Sequence, residues 1–290
     1  MRNRTASLIA LLLAGLAPTA ALADALAPSA SEPEAPAKQH ELSLGWSPRL
    51  MQRHDEIFSP RPARGGSAFG LSFGHEWEGE KTAHRSGLDF MKALAKTRPL
   101  FEYSRWPTGE TQQTEATPFT ALRLDHAVLR RVAVPGPFTL HLGGAADLDF
   151  QHFDWVWHPL AIGGYTGLLS LDARAEVETH LGARHELRLA VSTPLLAWVT
   201  RSPYAANDAQ LIWNNREANP VKTFFRYLSQ GQVRTVDSHQ GLRVKLRYAY
   251  HLTPRYGLVL TAHGRLVHLT EPRPLMASEW GVTLATAWSF

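Results

Sequence analysis

The feature that most constrains this chain is a side-chain period of two, seen most cleanly at its carboxy-terminal end. Trp280, Val282, Leu284, Thr286, Trp288 and Phe290 share one register, and Gly281, Thr283, Ala285, Ala287 and Ser289 share the other. Successive side chains of a strand point to opposite faces. The segment therefore predicts a strand with one bulky apolar face and one small, weakly polar face. The alternation recurs upstream with sharper contrast. Leu169, Leu171, Ala173, Ala175, Val177 and Leu181 oppose Ser170, Asp172, Arg174, Glu176, Glu178 and His180. After the turn-forming Gly182-Ala183-Arg184, Leu187, Leu189, Val191, Leu195 and Val199 oppose Glu186, Arg188, Ala190 and Ser192.

Ten segments read this way: residues 41–50, 67–79, 84–95, 117–131, 137–152, 169–181, 187–199, 242–251, 256–266 and 280–290. A further hairpin around 224–236 would make twelve. Several segments exceed the five or six residues usual in soluble strands. They are long enough to cross a bilayer at a tilt, which takes about 9–11 residues. Trp46, Trp77, Tyr256, Trp280 and Trp288 fall near segment ends, where interfacial aromatic girdles would lie. The connections sort by parity. The odd ones (51–66, 96–116, 153–165, 201–238 and 271–275) are nearly all longer than the even ones (80–83, 132–136, 182–184 and 253–254). A barrel with short turns at one end and long loops at the other produces that sorting; a soluble sandwich has no reason to. The fold expected is all-β, a transmembrane antiparallel up-and-down barrel.

The amino-terminal residues agree. Arg2 and Arg4 precede an apolar run, 7–16, and Ala21-Leu22-Ala23 is a small-x-small site, so residues 1–23 read as a signal peptide cleaved before Asp24. Residues 24–39, with Pro28, Pro33 and Pro36, read as a disordered lead-in, and 40–290 as the barrel. With no cysteine, neither a lipid-anchored start nor disulfides are available. The formal net charge is +4, and Arg2 and Arg4 supply two of those charges, too little to indicate nucleic acid.

The face opposite the apolar one is expected to line the lumen. It carries Glu76, Arg85, Asp89, Arg123, Asp125, His141, Asp147, Asp149, Asp172, Arg174, Glu176, Glu178, Glu186, Arg188, Arg243, Lys245, Arg247 and His251. Side chains nearly fill a barrel of about this strand number, so charges of both signs should pair across it. A narrow ion or solute path is the sharper alternative.

The closing strand and Phe290 resemble the last strand of bacterial outer-membrane β-barrels, whose terminal Phe is read by the barrel assembly machinery. That resemblance implies an integral outer-membrane location with both termini periplasmic. It also implies contact with outer-membrane lipid and lipopolysaccharide, and Phe290 as the assembly signal. Within that class, Asp237-Ser238-His239 and the co-facial Asp147 and Asp149 resemble the catalytic set of the omptin proteases, ten-stranded barrels with a site at the outer rim. On this resemblance Asp237 and His239 would orient and activate a water. The sequence departs from the pattern: residues 96–116, where the carboxylate pair would belong, contain no Asp, and Asp147 and Asp149 lie one strand further on. Ser238 beside His239 also suits an outer-membrane lipid acyl hydrolase. The fourteen histidines show no His-x-His or His-x-x-x-His spacing, so neither a metal nor a cofactor is expected.

Two outer connections offer surfaces for a partner or small ligand. Phe153–Tyr165 holds Trp155 and Trp157, which suit either a binding surface or the outer girdle. Arg201–Ser238 is the longest, and within it Asn207–Tyr227, with Trp213, Phe224 and Phe225, is expected to cap the barrel mouth. The leading expectation is a monomeric, non-enzymatic surface or structural barrel. The alternatives are a rim-sited hydrolase using Asp237 and His239, and a narrow channel.

Overall fold

The computed structural model describes residues 39–57, 61–97, 102–105, 107–113, 116–155, 162–202 and 219–290. Residues 1–38, which cover the expected signal peptide and all but Gln39 of the expected lead-in, lie outside them, as do Trp157 and Trp213.

Every segment with period-two alternation is a strand, and all ten extend beyond the apolar run that marked them. In chain order the elements are β1 (Gln39–Trp46), β2 (Arg49–Asp55), β3 (Ala63–Glu78), β4 (Thr82–Thr97), β5 (Glu102–Arg105), β6 (Glu110–Gln113), β7 (Thr117–Val132), β8 (Phe138–Trp155), β9 (Ile162–His180), β10 (His185–Arg201), α1 (Pro220–Ser229), β11 (Gln232–Thr235), β12 (His239–His251), β13 (Tyr256–Leu269) and β14 (Leu275–Ser289). β1 and β2 together form one stave of the barrel, broken at Ser47-Pro48 because proline has no amide to give the ladder. The neighbours run β1/β2, β14, β13, β12, β10, β9, β8, β7, β4, β3 and back to β1/β2. Every pairing is antiparallel, so ten staves close the sheet. The seam is made by Leu42↔Trp288 and Trp46↔Leu284 on one side of β1 and by Leu42↔His75 and Trp46↔Leu71 on the other.

Four short elements among the described residues lie outside the staves. β5 and β6 form a separate two-stranded sheet. The twelve-strand alternative is not adopted: the 224–236 region contains α1 and then β11, which pairs only with Leu196–Val199 of β10. α1 does not sit over the mouth as expected of that connection. Tyr227 stacks on Tyr165 with ring centroids 3.6 Å apart, and Trp198 Nε1 donates to the Leu228 carbonyl at 2.7 Å. Tyr165 and Trp198 occupy outward positions of β9 and β10, so α1 lies against the outer wall at the long-loop end.

The wall has the two faces the alternation demands, except that a bulge between Pro194 and Leu196 reverses the end of β10 and turns Val199, expected on the apolar outer face, into the lumen. Leu44, Leu71, Leu124, Leu171, Leu260 and Leu284 all point outward and are exposed. A water-soluble protein rarely exposes a continuous apolar band of this extent; lipid accommodates it. At the short-turn end the band is ringed by Trp77, Tyr256 and Trp288 together with imidazoles. His40 stacks on Phe290 at 5.5 Å, and His84 meets Trp77 edge-on at 4.9 Å.

Candidate functional site

Each lumenal residue expected from the sequence faces inward, and the register places them in three layers. At the short-turn mouth, Arg188 donates to Glu76 at 2.5 Å, Glu186 at 2.8 Å and Glu178 at 3.0 Å. Arg247 joins Glu186 at 2.6 Å to Glu41, and Arg85 holds Glu78 at 2.5 Å. His141 Nε2 lies 3.1 Å from the same Glu78. Arg188 and Glu76 sit on β10 and β3, five staves apart in a ring of ten, so this pair spans opposite walls.

The middle layer surrounds a polar cavity of about 160 Å³. Arg123 grips Glu279 with both terminal nitrogens, at 2.5 and 2.6 Å, and donates through Nε to Asp149 at 3.1 Å. Arg49 bridges Asp89 at 2.8 Å and Glu279 at 2.9 Å. Arg243 pairs with both Asp147 and Asp172, Arg265 with Asp149, and Lys245 with Asp125 at 3.2 Å.

The long-loop end is closed differently. Met51, Met91, Phe119 and Phe153 pack together inside the wall, and Leu168, Val199, Val267, Leu269 and Leu275 form a second buried cluster. Between them Arg53 reaches Asp55 and Thr166 at 2.7 Å and Gln151 at 2.5 Å, and Arg201 reaches Asp55 at 2.7 Å. Arg53 also lies 4.8 Å over the Phe153 ring. Ion pairs cross the lumen in two layers, and apolar packing dominates the third.

The four candidate catalytic residues divide. Asp147 and Asp149 are co-facial and buried, as their spacing predicts, but arginines hold both carboxylates, and Gln151 Nε2 donates to Asp149 at 2.6 Å. Both oxygens of Asp149 are engaged, by Arg123, Arg265 and Gln151, and Asp147 is held by Arg243. His239 opens β12 and is buried within the wall, with no hydrogen-bond partner for Nδ1. Asp237 sits in the preceding turn, exposed, and among the described residues it makes no hydrogen bond or ion pair. No hydrogen bond joins Asp237 or His239 to the aspartate pair among the described residues.

Several lumenal partners escaped the sequence reading: Glu41, Arg49, Arg53, Asp55, Arg201 and Glu279. The signal that would find them is the inward register itself, continued past the apolar run. Arg49, Met51, Arg53 and Asp55 alternate with Leu50, Gln52 and His54 on the first stave. A three-carboxylate-or-imidazole group, Glu178, His180 and Glu186, lies within 4.8 Å at the short-turn rim. Two of its members are already engaged by Arg188.

A closed antiparallel barrel, apolar outside and ionised within, defines an integral β-barrel membrane protein of the bacterial outer-membrane class. A solved structure agrees on the fold. The outer membrane protease OmpT from Escherichia coli superposes with a TM-score of 0.51 at 6% identity, over 90% of this chain and 99% of that one. Neisserial surface protein A aligns over 87% of this chain and 97% of its own at 9% identity and a TM-score of 0.34. The translocator domain of the autotransporter NalP from Neisseria meningitidis aligns over 99% and 97% at 11% identity and 0.38. At these identities the likeness to OmpT concerns the fold. No protein-family model matches the chain, and no curated protein matches it.

Proposed function

We propose that this protein is a closed outer-membrane barrel that works through its outward-facing surface, as an interaction or structural protein rather than as a conduit or a hydrolase. Both termini lie on the periplasmic side, so the long-loop end faces outward from the cell. The observation that carries this reading is the Arg188–Glu76 pair joining opposite walls at 2.5 Å, beneath a second ionic layer and a third, apolar one. Three such layers across the lumen favour a closed barrel over a conduit. The arginine contacts of Asp147 and Asp149 support a structural role for that pair. Phe290, exposed and stacked on His40, is presented for recognition by the assembly machinery.

Planar-bilayer recording of the refolded mature chain tests the reading. The wild type should give no unitary conductance steps. Stable steps in the wild type would overturn it. So would turnover of peptides or lipid A that is lost in Asp237→Ala or His239→Ala.

A further inference from the structure

Along the barrel staves, the described outward side chains include no carboxylate and only four Lys or Arg. Arg130 is at the short-turn end. The other three, Arg64, Lys92 and Lys96, are grouped on the adjacent strands β3 and β4 near the long-loop end. Arg64 and Lys96 are register partners, with Cα atoms about 5 Å apart. Lys92 is four residues down the same strand, about 13 Å away. Among the described residues none of the three is in an ion pair or side-chain hydrogen bond. The neighbouring outward side chains are Phe69, Phe90, Leu94 and Thr120.

Their depth follows from strand geometry. A strand rising about 3.3 Å per residue at a tilt near 45° climbs about 2.3 Å per residue along the membrane normal. An apolar band about 25 Å tall therefore takes roughly eleven residues. Counted from the ring at the short-turn end, where Trp77 pairs with His84, the band ends near Gly66 on β3 and Leu94 on β4. Lys92 thus stands just inside the far boundary, within reach of it by its flexible stem, and Lys96 and Arg64 stand just beyond it. Three cations stand at the headgroup level, and among the described outward side chains of the staves no carboxylate is there to pair with them.

We infer that Arg64, Lys92 and Lys96 form a site on the lipid-facing wall for the phosphate groups of a phosphorylated glycolipid of the outer leaflet. The acyl chains of that lipid lie along the apolar surface of Leu71, Leu88 and Leu122 below it. The site rests on the orientation given above, with the long-loop end outward. It makes the lipid-facing wall, beside the loops, a recognition surface.

The test uses the purified full barrel in detergent and native mass spectrometry. The probes are diphosphorylated lipid A, the same glycolipid with its phosphates removed, and inorganic phosphate. Each cation at such a surface contributes about fivefold in binding, so the wild type should prefer the phosphorylated lipid by roughly a hundredfold. The triple variant Arg64→Gln, Lys92→Gln, Lys96→Gln should lose most of that preference. Arg130→Gln at the other end should keep it. Lys92→Gln alone, expected to lose about fivefold, serves if the triple variant does not fold. The inference is overturned by equal binding of both lipids, by a triple variant that retains its selectivity, or by competition from inorganic phosphate at equimolar concentration. Orientation is read separately. The chain has no cysteine, so Thr111→Cys in the β5–β6 hairpin gives a single thiol to label on whole cells. Labelling without lipid selectivity refutes the site and leaves the orientation standing; an unreachable thiol refutes both.

Discussion

Removing the Glu279 carboxylate should cost this barrel about 3 kcal/mol. Glu279 accepts both terminal nitrogens of Arg123 and one from Arg49, all from buried side chains. Deleting one partner of a buried ion pair typically costs about 3–5 kcal/mol, because the remaining charge is left uncompensated. Two features place this case at the lower end. Arg49 keeps Asp89 at 2.8 Å and Arg123 keeps Asp149 at 3.1 Å. The adjoining cavity of about 160 Å³ has room for roughly five waters, which would rehydrate part of the exposed guanidinium surface. The assay is urea unfolding of the barrel in lipid vesicles, followed by the fluorescence of its nine tryptophans. The slope against urea should stay unchanged while the midpoint falls. Glu271→Ala is the control: its pair with Arg234 lies outside the lumen and Glu271 is 56% exposed, so its loss should change stability by less than about 1 kcal/mol. If Glu279→Ala and Glu271→Ala shift the midpoint equally, the lumenal pairs do not hold the barrel together and the reasoning fails.

Two further outcomes follow from packing on the wall. Tyr227→Ala removes the stack on Tyr165 and should ease the opening of α1 by about 1 kcal/mol beyond the lost burial. Amide exchange should then quicken across 220–229 while β9 and β10 stay protected, and equal quickening in those strands would refute the docking. Gly70→Ala should destabilise by about 1–3 kcal/mol, because a Cβ there would overlap the Ser47 carbonyl oxygen. Gly144→Ala, whose Cβ would meet nothing closer than 3.7 Å, should be nearly neutral, and similar urea midpoints for the two variants would refute the close approach.

The strands were legible because lipid on one face and ionic side chains on the other impose strong alternation. Legibility fails where that contrast fades. Beyond Leu50 the outward positions become Gln52 and His54, so the apolar alternation of the first stave stops while its inward register runs on to Asp55. The apolar alternation of the last strand starts only at Trp280, after Ser278, and that hides Glu279. α1 left a local trace that went unread: Pro220 fits a first helical turn, and Asn219 Oδ1 accepts from the Lys222 amide at 3.1 Å as an amino-terminal cap. The candidate site was half readable. Spacing put Asp147 and Asp149 on one face, but their partners Arg243 and Arg265 lie across the ring, and the stagger of a closed sheet decides which residues meet. Asp237 and His239 would share a face only if the strand reached Asp237, and it begins at His239.

The broken first stave bonds to the second and to the last strand alike, and this bears on how the protein is built. Until the two ends of the polypeptide meet, the sheet is an open ribbon with two bare edges, and Arg49, Arg201 and Arg247 lack Glu279, Asp55 and Glu41. The lumenal pairs that involve the first stave therefore form only when the ends meet, while pairs such as Arg188–Glu178 and Arg123–Asp149 do not wait for it. A copy whose opening ribbon arrives late presents the naked margin of β14 to any neighbour, so safe insertion depends on shielding that margin until the hoop is shut.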